Sequence, residues 1–149
     1  MPDVAVLRSL HVIAAVLLLG NVTVTGFWAL FLYRVRDTVP FRQVARAILW
    51  SDFIFTIGGG TLLTVTGILL AQARGLPFPE TAWLLRGSAA LALATLLWAV
   101  FLLPDQARLV RIPADDRRTL RRVFLRWMVV GWLATGVLFY GLVAMVTRG

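Results

Sequence analysis

Four apolar stretches, each longer than the roughly 20 residues needed to cross a ~30 Å hydrocarbon core, dominate this sequence. They cover residues 4–33, 41–72, 82–103 and 120–146. Hydrophobic residues make up 60% of the chain, whereas soluble domains average about 45–50% apolar residues. A water-soluble fold could not cover that much apolar surface. The sequence therefore predicts an all-α integral membrane protein with one domain over residues 1–149.

The connections between the four stretches are short and rich in turn-forming residues. Their turn sequences are Asp37-Thr38-Val39-Pro40, Gly75-Leu76-Pro77-Phe78-Pro79 and Ile112-Pro113-Ala114-Asp115-Asp116. Short loops force consecutive helices to run antiparallel, so we expect an up-down four-helix bundle. The first apolar stretch is too long for the ~7–15-residue core of a signal peptide, and it is therefore expected to remain as the first helix.

Arginine supplies all of the basic charge, with fifteen arginines and no lysine. Eleven of the fifteen lie in or beside the first and third loops. Because short arginine-rich loops remain cytoplasmic, residues 34–46 and 108–126 are predicted to face the cytoplasm, with both termini in the periplasm of a bacterial inner membrane. The net charge of +8 then predicts anionic membrane lipids as partners, and no nucleic acid.

Several classes of chemistry lack the residues they require. The absence of cysteine excludes disulfides, iron–sulfur clusters and thiolate ligation of haem. No nucleotide-binding loop and no HExxH zinc motif occurs. The single histidine and Asp52 fall on opposite halves of the bilayer, which argues against a hydrolase triad. Enzymatic activity is therefore not predicted.

Ionisable residues inside a membrane are costly and mark candidate sites. His11 should lie about 10 Å into the bilayer from the outer face. Arg8, Arg86 and Tyr140 are expected in the same layer. Imidazole is a common iron ligand and guanidinium pairs with carboxylates such as haem propionates. This layer thus predicts a haem b site with His11 as the axial metal ligand, lined by Arg8, Arg86 and Tyr140.

An alternative to that site remains open: His11 could hydrogen-bond a neighbouring hydroxyl while Arg8 and Arg86 extend toward headgroups. The identity of a sixth haem ligand is also open. It could be Tyr140, Met145, water, or the same histidine of a second copy in a homodimer. Helical geometry puts Ala15, Leu18 and Val22 on the stripe of His11, a surface that could accept a planar ligand.

On the inner side, Asp52 lies roughly 9 Å beyond Arg46 along the second helix, deep for an unpaired carboxylate. Arg126 enters the fourth helix from the same side, so a structural ion pair between Asp52 and Arg126 is predicted. The first helix offers further donors in Trp28, Thr25 and Asn21. A proton-relay role for Asp52 is the alternative.

The segment Arg8-Ser9-Leu10-His11, with the apolar run to Gly20-Asn21, resembles the start of a bacterial family of predicted integral membrane proteins. That family is called domain of unknown function 2269. The similarity continues through short motifs along essentially the whole chain: Trp50-Ser51-Asp52-Phe53, Thr66-Gly67, Pro104-Asp105-Gln106 and Arg126-Trp127.

The basic-x-Leu-His start is also distantly similar to the haem-dependent membrane protoporphyrinogen oxidase (HemJ type) and to the copper-resistance D membrane domain. The first-helix histidine of the oxidase family is implicated in haem binding, so the resemblance implies that role for His11, with Arg8 and Arg86 nearby. This chain has arginine where the oxidase has lysines, and it lacks the other histidines of that family.

These patterns favour two hypotheses about function. The first is a b-type haem protein of the inner membrane that transfers electrons. The second is a non-catalytic accessory subunit that packs against a larger respiratory or photosynthetic complex through small residues on its helices. A copper-handling transporter is weaker, because the chain lacks the Met and His clusters that soft metals prefer.

Overall fold

The computed structural model describes residues 3–113 and 115–147, and over these ranges it is all-helical, without a strand. Four helices are long and apolar enough to span a membrane: α1 (Val4–Arg34), α2 (Phe41–Ala73), α3 (Ala82–Arg111) and α4 (Arg117–Thr147). The predicted all-α four-helix membrane fold is confirmed. We call the end where α1 begins and α4 ends the terminal end, and the opposite end the arginine-rich end.

The third helix is longer than the sequence predicted, because it continues through Pro104 to Arg111. A proline inside a regular α-helix loses a hydrogen bond and clashes with the preceding turn. In α3 a π-helical turn at Trp98–Leu102 comes just before it, so Pro104 stands in the first turn of the α-helical segment that follows. A residue at the start of such a segment needs no N–H partner within it, so the proline is accommodated.

The helix pairs α1/α2 and α3/α4 pack most closely, and small residues allow the approach. A Cβ added at Gly141 on α4 would lie 2.9 Å from the Cβ of Ala90 on α3. A Cβ added at Gly59 on α2 would lie 3.4 Å from the backbone nitrogen of Leu18 on α1. Close approach at small residues replaces the hydrophobic driving force that is absent between helices in lipid.

An aromatic cluster closes the arginine-rich end. Phe124 of α4 is fully buried, and it stacks on Tyr33 of α1 with ring centroids 3.8 Å apart. Phe41, at the start of α2, packs edge-on against both rings. Three helices are thereby joined at this end, and Arg36 covers Tyr33 from outside with its guanidinium 4.5 Å from the ring centroid.

The last helix begins with a side-chain cap. The Asp116 carboxylate accepts a hydrogen bond from the backbone N–H of Thr119 at 3.0 Å. That hydrogen bond, which favours the charged carboxylate, lowers the pKa of Asp116 below the usual aspartate range. The cap fixes the point at which the chain enters α4.

Candidate functional site

A cavity of about 470 Å³ lies among the four helices, and all four contribute to its walls. In the described chain, no Cα atom of Gly58–Ala73 on α2 lies within 8 Å of one of Ala82–Leu97 on α3. Thr61, Thr64 and Thr95 line the cavity on these two segments and are exposed. The cavity therefore opens sideways between α2 and α3, the direction that faces lipid in a membrane.

The polar end of the cavity is built around Asp52, which is 6% exposed. Its carboxylate accepts hydrogen bonds from Asn21 Nδ2 at 2.7 Å and from Thr56 Oγ1 at 3.3 Å. Gln106 Nε2 donates to the second carboxylate oxygen. Ser51 donates to the side-chain oxygen of Asn21, which orients the amide nitrogen toward Asp52. Side chains of α1, α2 and α3 are thus joined by one buried network.

Three polar atoms at this end have no hydrogen-bond partner although they are buried. They are the side-chain oxygen Oε1 of Gln106 and the indole nitrogens of Trp98 and Trp127. All three residues line the cavity. A buried polar group without a partner costs about 1–3 kcal/mol. Three residues of the cavity wall therefore carry one acceptor and two donors that have almost no accessible surface and no hydrogen-bond partner within the described chain.

The predicted ion pair between Asp52 and Arg126 is wrong, because Arg126 binds a different carboxylate. Its guanidinium makes a bidentate contact with Asp105: Nε donates to Oδ2 at 2.8 Å, and Nη2 donates to Oδ1. Asp105 is completely buried. The extension of α3 beyond residue 103 explains the correction, since it places Asp105 inside the bundle beside α4 and supplies a nearer partner.

Asp52 is consequently buried without a cation. In the described part of the chain, the three ion pairs within 4.0 Å involve Asp105 twice and Asp37 once. The expected donor Asn21 does bind Asp52. The indole nitrogen of Trp98 faces the same carboxylate but does not meet the geometry of a hydrogen bond. Among the described residues, only neutral groups therefore compensate this buried carboxylate.

His11 lies between α1 and α2, toward the terminal end. Its Nδ1 is 3.0 Å from the hydroxyl of Thr66, and that hydroxyl is 2.6 Å from the Leu62 carbonyl oxygen. The Thr66 proton therefore goes to Leu62, and the hydroxyl oxygen accepts from Nδ1–H of His11. The imidazole packs on Gly67, where an added Cβ would lie 3.1 Å from its Cε1. The alternative in which His11 bonds a hydroxyl is the arrangement observed.

The other predicted members of the His11 site are not gathered around a common cavity. Tyr140 is 57% exposed, and neither it nor His11 lines the cavity described above. A cavity shared by His11 and Tyr140 therefore stays a prediction. Arg8 and Arg86 are both exposed at the terminal end. The described residues contain no group of three or more His, Cys, Asp or Glu side chains placed to hold a metal ion.

The predicted stripe on α1 is partly a cavity wall, since Leu18 and Val22 line the cavity. The sequence patterns do not indicate Gln106, Trp98 or the structural role of Asp105. The motif Pro104-Asp105-Gln106 is the available signal, but a proline followed by two polar residues is also typical of the end of a helix. The tryptophans carry no positional signal of their own.

Four antiparallel helices of spanning length around a cavity with a buried carboxylate define a polytopic membrane protein. The model of the family described as predicted integral membrane protein (DUF2269) matches residues 5–149. The chain belongs to this family, as its sequence motifs predicted. No curated protein and no solved structure matches it.

Proposed function

We propose that this protein binds a membrane-dissolved small molecule, with the polar part of that molecule at the Asp52 end of the cavity. The observation that carries the proposal is Gln106, which is 2% exposed and whose Oε1 has no partner while its residue lines the cavity. Buried side-chain acceptors are normally satisfied. A ligand hydroxyl, amine or bound water would satisfy this one.

The dimensions and the entrance of the cavity support a ligand of modest size. Ligand cavities typically measure about 300–1,000 Å³ and combine apolar walls with a few convergent polar groups. This cavity, at about 470 Å³, has that composition. Its lateral opening favours molecules that dissolve in the bilayer. The π-helical turns Asp52–Ile57 and Trp98–Leu102 both contribute to its polar end, and π turns are frequent at functional sites.

A quenching experiment tests the proposal. The full-length protein in maltoside micelles is titrated with 4-bromophenol, a neutral probe whose bromine quenches tryptophan fluorescence. We expect saturable quenching from Trp98 and Trp127 above the linear background of micelle partitioning. Gly60→Leu should remove the saturable part, because Gly60 lines the cavity and has open space at its Cβ position.

Gly58→Leu is the matched control. Gly58 lies on the same helix, also has open space at its Cβ position, and does not line the cavity. This variant should retain saturable quenching. Linear quenching alone in the wild-type protein, or equal loss in both variants, would contradict binding in the cavity.

Haem b at His11 is a second candidate, favoured by one observation. Because Nδ1–H donates to Thr66, the other ring nitrogen keeps a lone pair, and a fixed tautomer is typical of histidines that ligate metals. A bound haem would lie outside the cavity, against a second copy or a partner subunit. An absorption spectrum after expression with added haem tests it. A Soret band that His11→Ala abolishes supports haem binding, and colourless protein rejects it.

An accessory role in a larger complex is the remaining alternative, together with a homodimer. Gly20 and Gly136 are exposed and have nothing within 4 Å of an added Cβ. Exposed glycines let a neighbouring helix approach closely. Stoichiometric co-purification of larger membrane subunits that is lost in Gly20→Leu would support this role. A monomer in mild detergent with no partner would count against it.

A further inference from the structure

We infer that the ligand of this cavity is a lipophilic cation whose positive charge lies beside Asp52; the inference rests on the binding function proposed above. Two buried carboxylates in the same bundle differ in their partners.

Asp105 and Asp52 are both buried, yet only one has a positive partner. Asp105 is paired with Arg126, and Arg108 lies 3.9 Å away. The partners of Asp52 in the described chain are the amides of Asn21 and Gln106 and the hydroxyl of Thr56. Buried charges are paired in proteins because desolvation is costly. The cation for Asp52 is therefore expected from outside the chain.

The hydrogen bonds around Asp52 stabilise the ionised carboxylate, whereas its burial disfavours that charged form. An ionised carboxylate accepts hydrogen bonds only, whereas a protonated one must also donate. The NH₂ groups of Asn21 and Gln106 can only donate. Ser51 donates to the side-chain oxygen of Asn21 and thereby orients the NH₂ group of Asn21 toward Asp52. Because these neutral donors only partly offset the cost of burial, a cation beside Asp52 would further stabilise the ionised carboxylate.

The cavity beside the carboxylate suits an organic cation. Trp98, Trp127 and Trp132 line it, and tryptophan faces attract cations by about 0.5–2 kcal/mol each. An inorganic ion would instead require a shell of oxygen ligands. Entry between α2 and α3 also avoids the positively charged loops of the arginine-rich end.

Two ions of nearly equal size and opposite charge test the inference. Tetraphenylphosphonium and tetraphenylborate are equilibrated with the wild-type protein in maltoside micelles, and bound ion is measured by equilibrium dialysis. We expect saturable binding of the phosphonium and only linear partitioning of the borate. This comparison needs no variant and so does not depend on the folding of one.

Variants then locate the charge. Asp52→Asn should weaken phosphonium binding at least tenfold, whereas Asp105→Asn should leave it within twofold, since Asp105 does not line the cavity. Saturable 4-bromophenol binding without phosphonium binding, or equal phosphonium affinity in Asp52→Asn, overturns the cation while leaving the cavity function intact. If neither probe binds saturably, the proposed function itself fails.

Discussion

Removing Arg126 should be among the most damaging single substitutions in this protein. Arg126→Leu leaves Asp105, which has no exposed surface, without its two-pronged partner. Breaking a buried ion pair by removing one member costs about 3–5 kcal/mol. The Arg126 side chain is half exposed and Arg108 remains 3.9 Å from Asp105. We therefore expect a loss near the lower end, about 3 kcal/mol of unfolding free energy.

A double-mutant cycle separates this pair from a general packing effect. Asp105→Asn alone should cost less than Arg126→Leu, because the freed guanidinium already reaches the surface. In the Asp105→Asn background, Arg126→Leu should cost only about 1 kcal/mol, which leaves a coupling of about 2 kcal/mol. Unfolding in maltoside–SDS mixed micelles, followed by the fluorescence of the six tryptophans, measures each value.

A second double-mutant cycle, between Arg126→Leu and Asp52→Asn, is the control and can refute the assignment of the ion pair. Arg126→Leu and Asp52→Asn should be additive within about 0.5 kcal/mol, because these residues share no direct contact. If Arg126→Leu couples to Asp52 and not to Asp105, the assignment of the pair is wrong and the prediction from sequence is restored.

Three further outcomes follow from other parts of the structure. Gly141→Ala should lower stability in the same assay by about 1–3 kcal/mol, because its Cβ would lie 2.9 Å from the Cβ of Ala90; Gly136→Ala, with open space, should be neutral. Asp116→Ala should lower the thermal midpoint near neutral pH. Since the folded pKa of Asp116 is lowered, the wild-type advantage is complete above the usual aspartate pKa and is lost as the pH falls through the folded value; a pH-independent difference would contradict the cap. Phosphatase fused to the C-terminus should be active if that end is periplasmic, and an inactive fusion with a fluorescent cytoplasmic reporter reverses the orientation.

The fold followed from the sequence because the bilayer restricts what an apolar chain can form. Stretches longer than about 20 apolar residues have few alternatives to a helix, and short loops set their antiparallel order. The predicted helix boundaries agree with the structure within one residue, except at the end of α3 and the start of α4. For α3 the sequence suggested an end near Pro104, but the π-helical turn before this proline allows the helix to continue.

The partners of buried polar residues were much harder to predict. Depth along a helix was enough to identify Asp52 as a residue that needs partners, and to name Asn21 as one donor. Depth does not specify rotation about the helix axis, and a third helix ending near residue 103 leaves Asp105 outside the bundle, so Asp52 was the carboxylate expected to pair with Arg126. The same ambiguity applies to the expected neighbourhood of Tyr140 and His11, since Tyr140 is largely exposed.

The π-helical turn in α2 shows why rotation could not be read from the sequence. At 3.6 residues per turn, each residue rotates by about 100°, so Asp52 and Thr64 would lie about 120° apart on a regular α-helix. Both nevertheless line the cavity. The π turn at Asp52–Ile57 accommodates about one extra residue. When the rotation of about 100° for that residue is subtracted from the angle between Asp52 and Thr64, the two side chains lie within about 20° of each other. One local departure from α-helical geometry thus unites a buried carboxylate and a row of threonines on one cavity wall, a face that no regular helical periodicity in this sequence would indicate.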